Sequence, residues 1–590
     1  MNLKHNHTKI LLALLLLAIT IPSRIIQNNQ VFNIDEPWWV ISSSNFYYAF
    51  AQRDFENTYF EYHPGVTNMW IFSTALHFYF PEYRGMGQGF FDQRKPHFEE
   101  FFRENGKEVI DFARNSRYIQ AAVLAGLTLL AFYLLSLLIG DIAAFVSLSL
   151  VNISPFFLGH SRLMNMETML AMFVLVSILG MQVYLNKDRK LIYLIISGVA
   201  FGLAQLTKSP SIVVVGVVGF MLLVNLFRKN ENTFKNKFFD ALKIFVIWIM
   251  SAVLVYFILW PGMWVNPARM LGEVYGNAFS YAFQGGRLDV TEELQPAQFA
   301  LESRFDGLQL YLTYWFSGTT FITWLGIIFA SILLFSTYNE ENLKTAKLLS
   351  LYLLVLGSLF ILMFGLAQGR NHAHYIMSSF VAFDVIAGIG WGFVWLLVQS
   401  KWHVFNRVYA SIIFIVALVL TQIGFGLPYA PYYFTYKNPL AKQPATFGYG
   451  EGYNLAAEYL NSKPNAQEIK AYVYNGMGTF SYFFSGETLI FKRAYLVDES
   501  YEQIVEEIKS SDYLVLYPII RARQPETEKL FTAFENVTPE KTFVIYGMEY
   551  VYIYNVSEIP ESVYEALLNR PLSFFFKPSK MPHLLKQPSP

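Results

Sequence analysis

The first residues able to do chemistry are two adjacent carboxylates in the run Asp35-Glu36-Pro37-Trp38-Trp39. Carboxylates among aromatic rings lose hydration, which raises both the cost of their charge and their basicity. One of them is a candidate general base for an acceptor hydroxyl, alone or with a divalent metal; the plain alternative is a helix cap with two solvated acids. Glu61-Tyr62-His63-Pro64-Gly65-Val66 follows, and then Ser161-Arg162 with Glu167 one to two turns on. A carboxylate at the head of a membrane helix is favoured by the helix dipole, and Arg162 is a candidate partner for Glu167. Two short turns between apolar runs carry cations: Leu206-Thr207-Lys208-Ser209-Pro210 and Gly369-Arg370-Asn371-His372-Ala373-His374-Tyr375. Either cation alone is explained by snorkelling to the membrane surface. Several cations converging with several carboxylates on one face are harder to explain that way.

Those residues are separated by apolar stretches long enough to span a bilayer. The first begins after Lys9, and others lie near residues 118 to 139, 142 to 158, 163 to 185, 191 to 207, 211 to 227, 239 to 260, 318 to 336, 347 to 367, 375 to 397 and 406 to 427. They make about eleven spans. No small-residue cleavage site follows the first, so it is expected to be retained. Alternate loops hold Lys187, Arg189 and Lys190, then Arg228, Lys229, Lys235 and Lys237, then Lys344 and Lys347, then Lys401 and Arg407. By the positive-inside rule these face the cytoplasm with the N-terminus, in a multi-pass protein of the cell membrane. The first loop (27 to 117), the loop 261 to 317 and the tail from about 428 then lie outside. The charge-rich, amphipathic stretch 90 to 112 is expected to lie flat at the interface.

Composition agrees with a lipid-solvated chain: of 590 residues, 54% are hydrophobic and only 15% charged, against about 25% charged in soluble domains. The 44 basic and 44 acidic residues cancel, leaving no global field to attract nucleic acid. With no cysteine at all, disulfides, thiolate metal sites and a cysteine nucleophile are excluded. Two domains are expected: 1 to 427, the membrane domain with its outer loops, and 428 to 590, an extracytoplasmic α/β domain. In the tail, helices are expected at 455 to 460 and 501 to 509, and strands at 470 to 474, 513 to 517 and 542 to 554.

The chain resembles the GT-C glycosyltransferases, in particular the protein O-mannosyltransferases and the bacterial aminoarabinose transferases that modify lipid A. The resemblance rests on Asp35-Glu36 after the first helix, Tyr62-His63-Pro64-Gly65, Arg162 with Glu167, Leu203-Ala204-Gln205-Leu206-Thr207-Lys208-Ser209-Pro210, and Trp260-Pro261-Gly262-Met263-Trp264. It continues through Pro431-Tyr432-Tyr433-Phe434 and Gly448-Tyr449-Gly450-Glu451-Gly452, to about residue 460. Two positions depart from the family pattern: Glu167 stands where Asp is common, and Gly65 where a second Pro is usual. The resemblance implies a mainly α polytopic fold, a polyprenyl-phosphate-linked sugar as donor, Asp35 as base and Glu36 as an acceptor-binding or structural group. A single displacement with inversion follows if one carboxylate is base and none is nucleophile.

Lys208 and Arg370 are assigned to the donor phosphate, with Arg162 and Arg304 as further candidates. Tyr62, His63, Glu167, His372 and His374 are candidates for acceptor or substrate contacts, and a divalent metal on Asp35 or Glu167 stays open. Whether the acceptor is a protein, a lipid or a glycan is open too. The rival class is a transporter or flippase for a lipid-linked sugar, because intramembrane charges also mark substrate paths. Against it, the charges gather at one face and no repeat relates the two halves.

Overall fold

The computed structural model describes residues 3–93, 95–228, 233–283, 303–338, 340–367, 372–401, 407–522 and 524–569. They divide into two compact units, Met1–Glu451 and Gly452–Pro590; the segment after the last span, 428 to 451, belongs with the helices.

The first unit is a bundle. Among the described residues it has 8 helices long and apolar enough to cross a membrane, or up to 10 if each of two bent pairs is one span, and the shorter apolar helix Leu191–Thr207 beside them. Each apolar stretch of the sequence therefore has its helix. The pair Asp141–Ile153 and Pro155–Ser161 is bent by 63°. The bend sits where Pro155 lacks an amide hydrogen and forces Ser154 to an extended ψ of 122°. The central helix is Met166–Asn186, buried almost throughout, whereas Phe234–Leu259 is largely exposed and turns Phe, Leu and Val outward. In lipid such exposure costs nothing, so burial here follows helix order and not hydropathy.

Small residues let helices meet backbone to backbone. A Cβ at Gly390 would collide with the carbonyl of Gly326, and one at Gly388 with the backbone of Ser147; Met377–Lys401 is thereby pressed between Phe321–Phe335 and Asp141–Ile153. Gly198 and Gly202 likewise bring Leu191–Thr207 against Phe234–Leu259.

The first loop contains the helices Glu36–Ala51, Val66–Tyr79 and His97–Glu104. The last is amphipathic as expected, but its apolar face is not offered to lipid. Phe98 and Phe102 are fully buried, and the rings of Phe80, Phe91 and Phe112 pack on them. The aromatic density of the loop lets it bury its own helix.

The second unit carries a five-stranded sheet of order β2-β1-β3-β5-β4, with β1 Lys470–Tyr474, β2 Glu487–Phe491, β3 Tyr513–Leu516, β4 Lys541–Ile545 and β5 Met548–Asn555. β1 pairs parallel with β2 and β3, while β3, β5 and β4 are antiparallel. The single strand expected over 542 to 554 is a hairpin, turned at Tyr546 (φ 50°) and Gly547 (φ 79°). Two successive left-handed residues make the tight turn that matches strand twist. Tyr453–Asn461 and Tyr501–Lys509 are the expected helices.

Candidate active site

The site starts from a turn in the first loop. Asn33 Oδ1 accepts from the amides of Asp35 (2.8 Å) and Glu36 (3.1 Å), and Glu36 Oε2 accepts in return from the amide of Asn33 (2.9 Å). This reciprocal capping box starts the helix Glu36–Ala51 and sends the two carboxylates in different directions.

Glu36 turns inward and is fully buried. Arg117 grips both its oxygens, with Nη2 at 2.7 Å from Oε1 and 2.8 Å from Oε2 and Nε at 3.1 Å from Oε1; the Met164 amide donates to Oε1 at 2.6 Å. Arg117 also donates to the carbonyls of Asn28 and Val31. A bidentate, charge-assisted pair with these added donors is a strap between the first loop, the helix Val109–Ile139 and the turn before Glu167.

Asp35 is different. Solvent reaches its side chain, yet protein surrounds it closely. Desolvation first, and the Glu167 charge second, push its pKa up to about 6, against the Tyr449 hydrogen bond and the Lys208 charge that pull it down. A carboxylate that solvent reaches while protein crowds it titrates closer to neutral pH than a free one and can take up a proton there. The Tyr449 hydroxyl donates to Asp35 Oδ2 at 3.1 Å.

Glu167 lies in the first turn of Met166–Asn186, and Lys208 ends Leu191–Thr207. Lys208 Nζ stands 2.6 Å from Glu167 Oε1, with both residues buried. The ammonium also lies 4.5 Å from the centre of the Tyr375 ring. His374 Nε2 is 4.0 Å from the same Glu167 oxygen, and the rings of His372 and His374 lie nearly parallel at 5.4 Å. Lys208 is thus a buried ion-pair member and not a snorkelling cation. The pairing of Glu167 with Arg162 does not occur: Arg162 donates to the carbonyls of Ser23, Ile26 (2.6 Å) and Gln27 (3.1 Å). A guanidinium is well matched to the bare carbonyls at a helix C-terminus, and there Arg162 closes the first span.

The His63-Pro64-Gly65 turn abuts the Lys208 end. The Gly65 amide donates to the Thr207 carbonyl (3.2 Å), and the hydroxyls of Thr67 and Thr207 are 2.7 Å apart. Gly65 has φ +61°, and a Cβ there would strike the Trp39 ring. Tyr62 stacks on Tyr281 at 4.8 Å, with the His63 ring 4.2 Å away. The structure therefore brings Asp35, Glu167, Lys208, His374 and Tyr449 together and gives Glu36 and Arg162 to the scaffold. Arg370 and the side chain of Arg304 lie outside the described residues. Among the described residues no group of three or more His, Asp or Glu converges to hold a metal. Lys208 Nζ takes the place beside Glu167 where a cation would sit, so these side chains do not fit a divalent metal held by Asp35 and Glu167.

Sequence reasoning gave no role to Arg117, Asn33 or Tyr449. Asn33-x-x-Glu36 is a readable cap signal; Tyr449 stands in the run Gly448-Tyr449-Gly450-Glu451-Gly452, which marks the segment but not the role, and Arg117 has no local signature.

Residues 95–256 match the family model described as dolichyl-phosphate-mannose-protein mannosyltransferase. Among solved structures, the chain is similar to ArnT from Cupriavidus metallidurans bound to undecaprenyl phosphate, at 13% identity over 92% of this chain and 97% of that chain, TM-score 0.45. It is similar to the archaeal oligosaccharyltransferase AglB from Archaeoglobus fulgidus in complex with an inhibitory peptide and a dolichol-phosphate, at 12% identity over 95% and 75% of the two chains, TM-score 0.45. The S. cerevisiae protein O-mannosyltransferase Pmt1-Pmt2 complex bound to the sugar donor is matched at 17% identity over 48% of this chain and 37% of that chain, TM-score 0.32. No curated protein matches. Residues 95–256, which hold Arg117, Glu167 and Lys208, are thus similar to the dolichyl-phosphate-mannose-protein mannosyltransferase family, and the run of long apolar helices makes the chain a multi-pass membrane protein.

Proposed function

We propose that the protein moves a sugar from a polyprenyl phosphate to a hydroxyl acceptor on the outer membrane face, with inversion at the anomeric carbon and Asp35 as general base. The observation that carries this reading is Asp35 itself, a solvent-reached carboxylate with its pKa pushed up to about 6. In the transfer, the acceptor oxygen bonds to the anomeric carbon while its proton passes to Asp35. The bond from that carbon to the phosphate oxygen breaks, with its electron pair staying on the phosphate. A phosphate leaves as a stable anion and needs no general acid, so a nearby fixed cation suffices. Lys208, aligned by Glu167, is that cation, and Arg370 is proposed as a second phosphate contact.

The donor's lipid has a place to lie. A groove of about 360 Å³ runs between Ser209–Phe227 and Glu341–Leu366, lined by Ile212, Val213, Gly216, Leu359, Leu362, Met363 and Leu366. It begins four residues beyond Lys208, which puts an apolar trough next to a proposed phosphate contact. The outer placement rests on the alternation of basic loops.

The test is Asp35→Asn in reconstituted vesicles supplied with a labelled polyprenyl-phosphate mannose. Loss of a general base predicts a fall in transfer of about 10² to 10⁴-fold with donor binding kept. Near-normal turnover would remove Asp35 from the chemistry, and movement of intact donor across the bilayer without transfer would favour a flippase.

A further inference from the structure

Tyr449 follows the last span by some twenty residues and exchanges no proton or bond in the transfer. We propose that Tyr449 is a positioning residue for the base: its hydroxyl holds one oxygen of Asp35 and leaves the other turned toward the acceptor. This rests on the reading of Asp35 as the base.

The bond from Tyr449 to Asp35 Oδ2 is 3.1 Å long and joins residues 414 apart in sequence. The Tyr449 side chain is buried. Its ring lies 5.5 Å from that of His374 at 28° and meets Phe434 edge to face at 5.8 Å. His374 in turn stands 4.0 Å from the Glu167 oxygen that Lys208 holds. One side chain therefore touches both the base and the ring beside the proposed phosphate cation.

The backbone under Tyr449 is equally constrained. Gly448 and Gly450 have φ of 68° and 114°, and a Cβ at Gly450 would collide with the Phe32 carbonyl, in the same turn that carries Asp35. The Tyr449 amide donates to Glu451 Oε2 at 2.6 Å. A carboxylate turns easily about its last torsion, whose energy well is broad. A single donor on a fixed ring removes that freedom and selects the oxygen that stays available.

The same bond favours the ionised carboxylate. The titratable groups facing Asp35 are Glu167, Lys208, Tyr449 and Glu36, with His160 and His374 against the Tyr449 ring. Burial, and then the Asp35 charge, hold the Tyr449 phenol well above its ordinary value, so it remains a donor throughout the range in which Asp35 titrates.

The test reads the Asp35 titration directly, as the protonated-carboxyl infrared band of the full-length protein in nanodiscs minus that of Asp35→Asn. Tyr449→Phe should raise the midpoint by about one pH unit, and 3-fluorotyrosine at position 449, a stronger donor of the same shape, should lower it. With polyprenyl-phosphate mannose as donor, Tyr449→Phe should cut kcat by roughly 10 to 100-fold while the donor KM stays within about twofold. A merely structural tyrosine would lower the folded yield without moving the midpoint. If Tyr449→Phe does not fold, the fluorotyrosine protein decides alone. An unmoved midpoint with an inactive Asp35→Asn overturns the role of Tyr449 only; an active Asp35→Asn overturns the base and the role of Tyr449 with it.

Discussion

Ionised Asp35 is the costlier form of the folded protein. Its pKa is raised to about 6, chiefly by desolvation, whereas an unfolded chain would titrate near 4. A group shifted this way adds stability that is complete below the unfolded value and is lost as pH rises through the folded one. Asp35→Asn cannot ionise, so at about pH 8 it should melt no lower than the wild type, and the gap should close toward about pH 4. A lower melting temperature at about pH 8 would contradict the assigned burial. Activity should run the other way in the wild type, with kcat/KM rising through a midpoint near 6, because only the ionised carboxylate takes a proton. The neighbouring acid shows what sequence can and cannot tell at this scale. Asp35 and Glu36 are indistinguishable as a dipeptide, and only Arg117, in a helix 81 residues away, makes Glu36 a strap.

Ser209–Phe227 and Glu341–Leu366 face each other across the apolar trough, and Gly216 lines it with nothing within 4 Å of where its Cβ would be. A side chain added there meets no backbone and simply fills the trough. Gly216→Leu should therefore fold normally and raise the KM for a long-chain polyprenyl donor at least several-fold, while a short-chain, water-soluble analogue is used as before. Equal effects on both donors would show that the lipid lies elsewhere. Elements of this kind were legible because a long apolar run needs no partner to be recognised. Short elements were not: β2 is five residues of mixed character, and the β4–β5 turn hides a tyrosine in its first left-handed position, where Asn or Gly would have announced it.

The order of spans and basic loops predicts a cytoplasmic N-terminus with the second unit outside. Because the natural chain has no cysteine, Ser510→Cys on the exposed end of Tyr501–Lys509 gives a single thiol. It should react with an impermeant maleimide in intact cells; labelling only after lysis would invert the topology. The architecture and the gathering of residues 35, 167, 208 and 374 at one face were readable at this scale, while the pairing of Lys208 with Glu167 and of Tyr449 with Asp35 was not, since each pair is joined only by the folded chain. The flush glycine contacts on Met377–Lys401 have a mechanical consequence. Where backbone rests on backbone at Gly326, Gly388 and Gly390, sliding by one residue would drive a side chain into a neighbouring main chain. That side of the bundle is a stator, fixed in register along its length. Compliance for a bulky lipid is left to the helices that flank Gly216, so a crosslink locking those two together should stall turnover, and one across the glycine seam should leave it running.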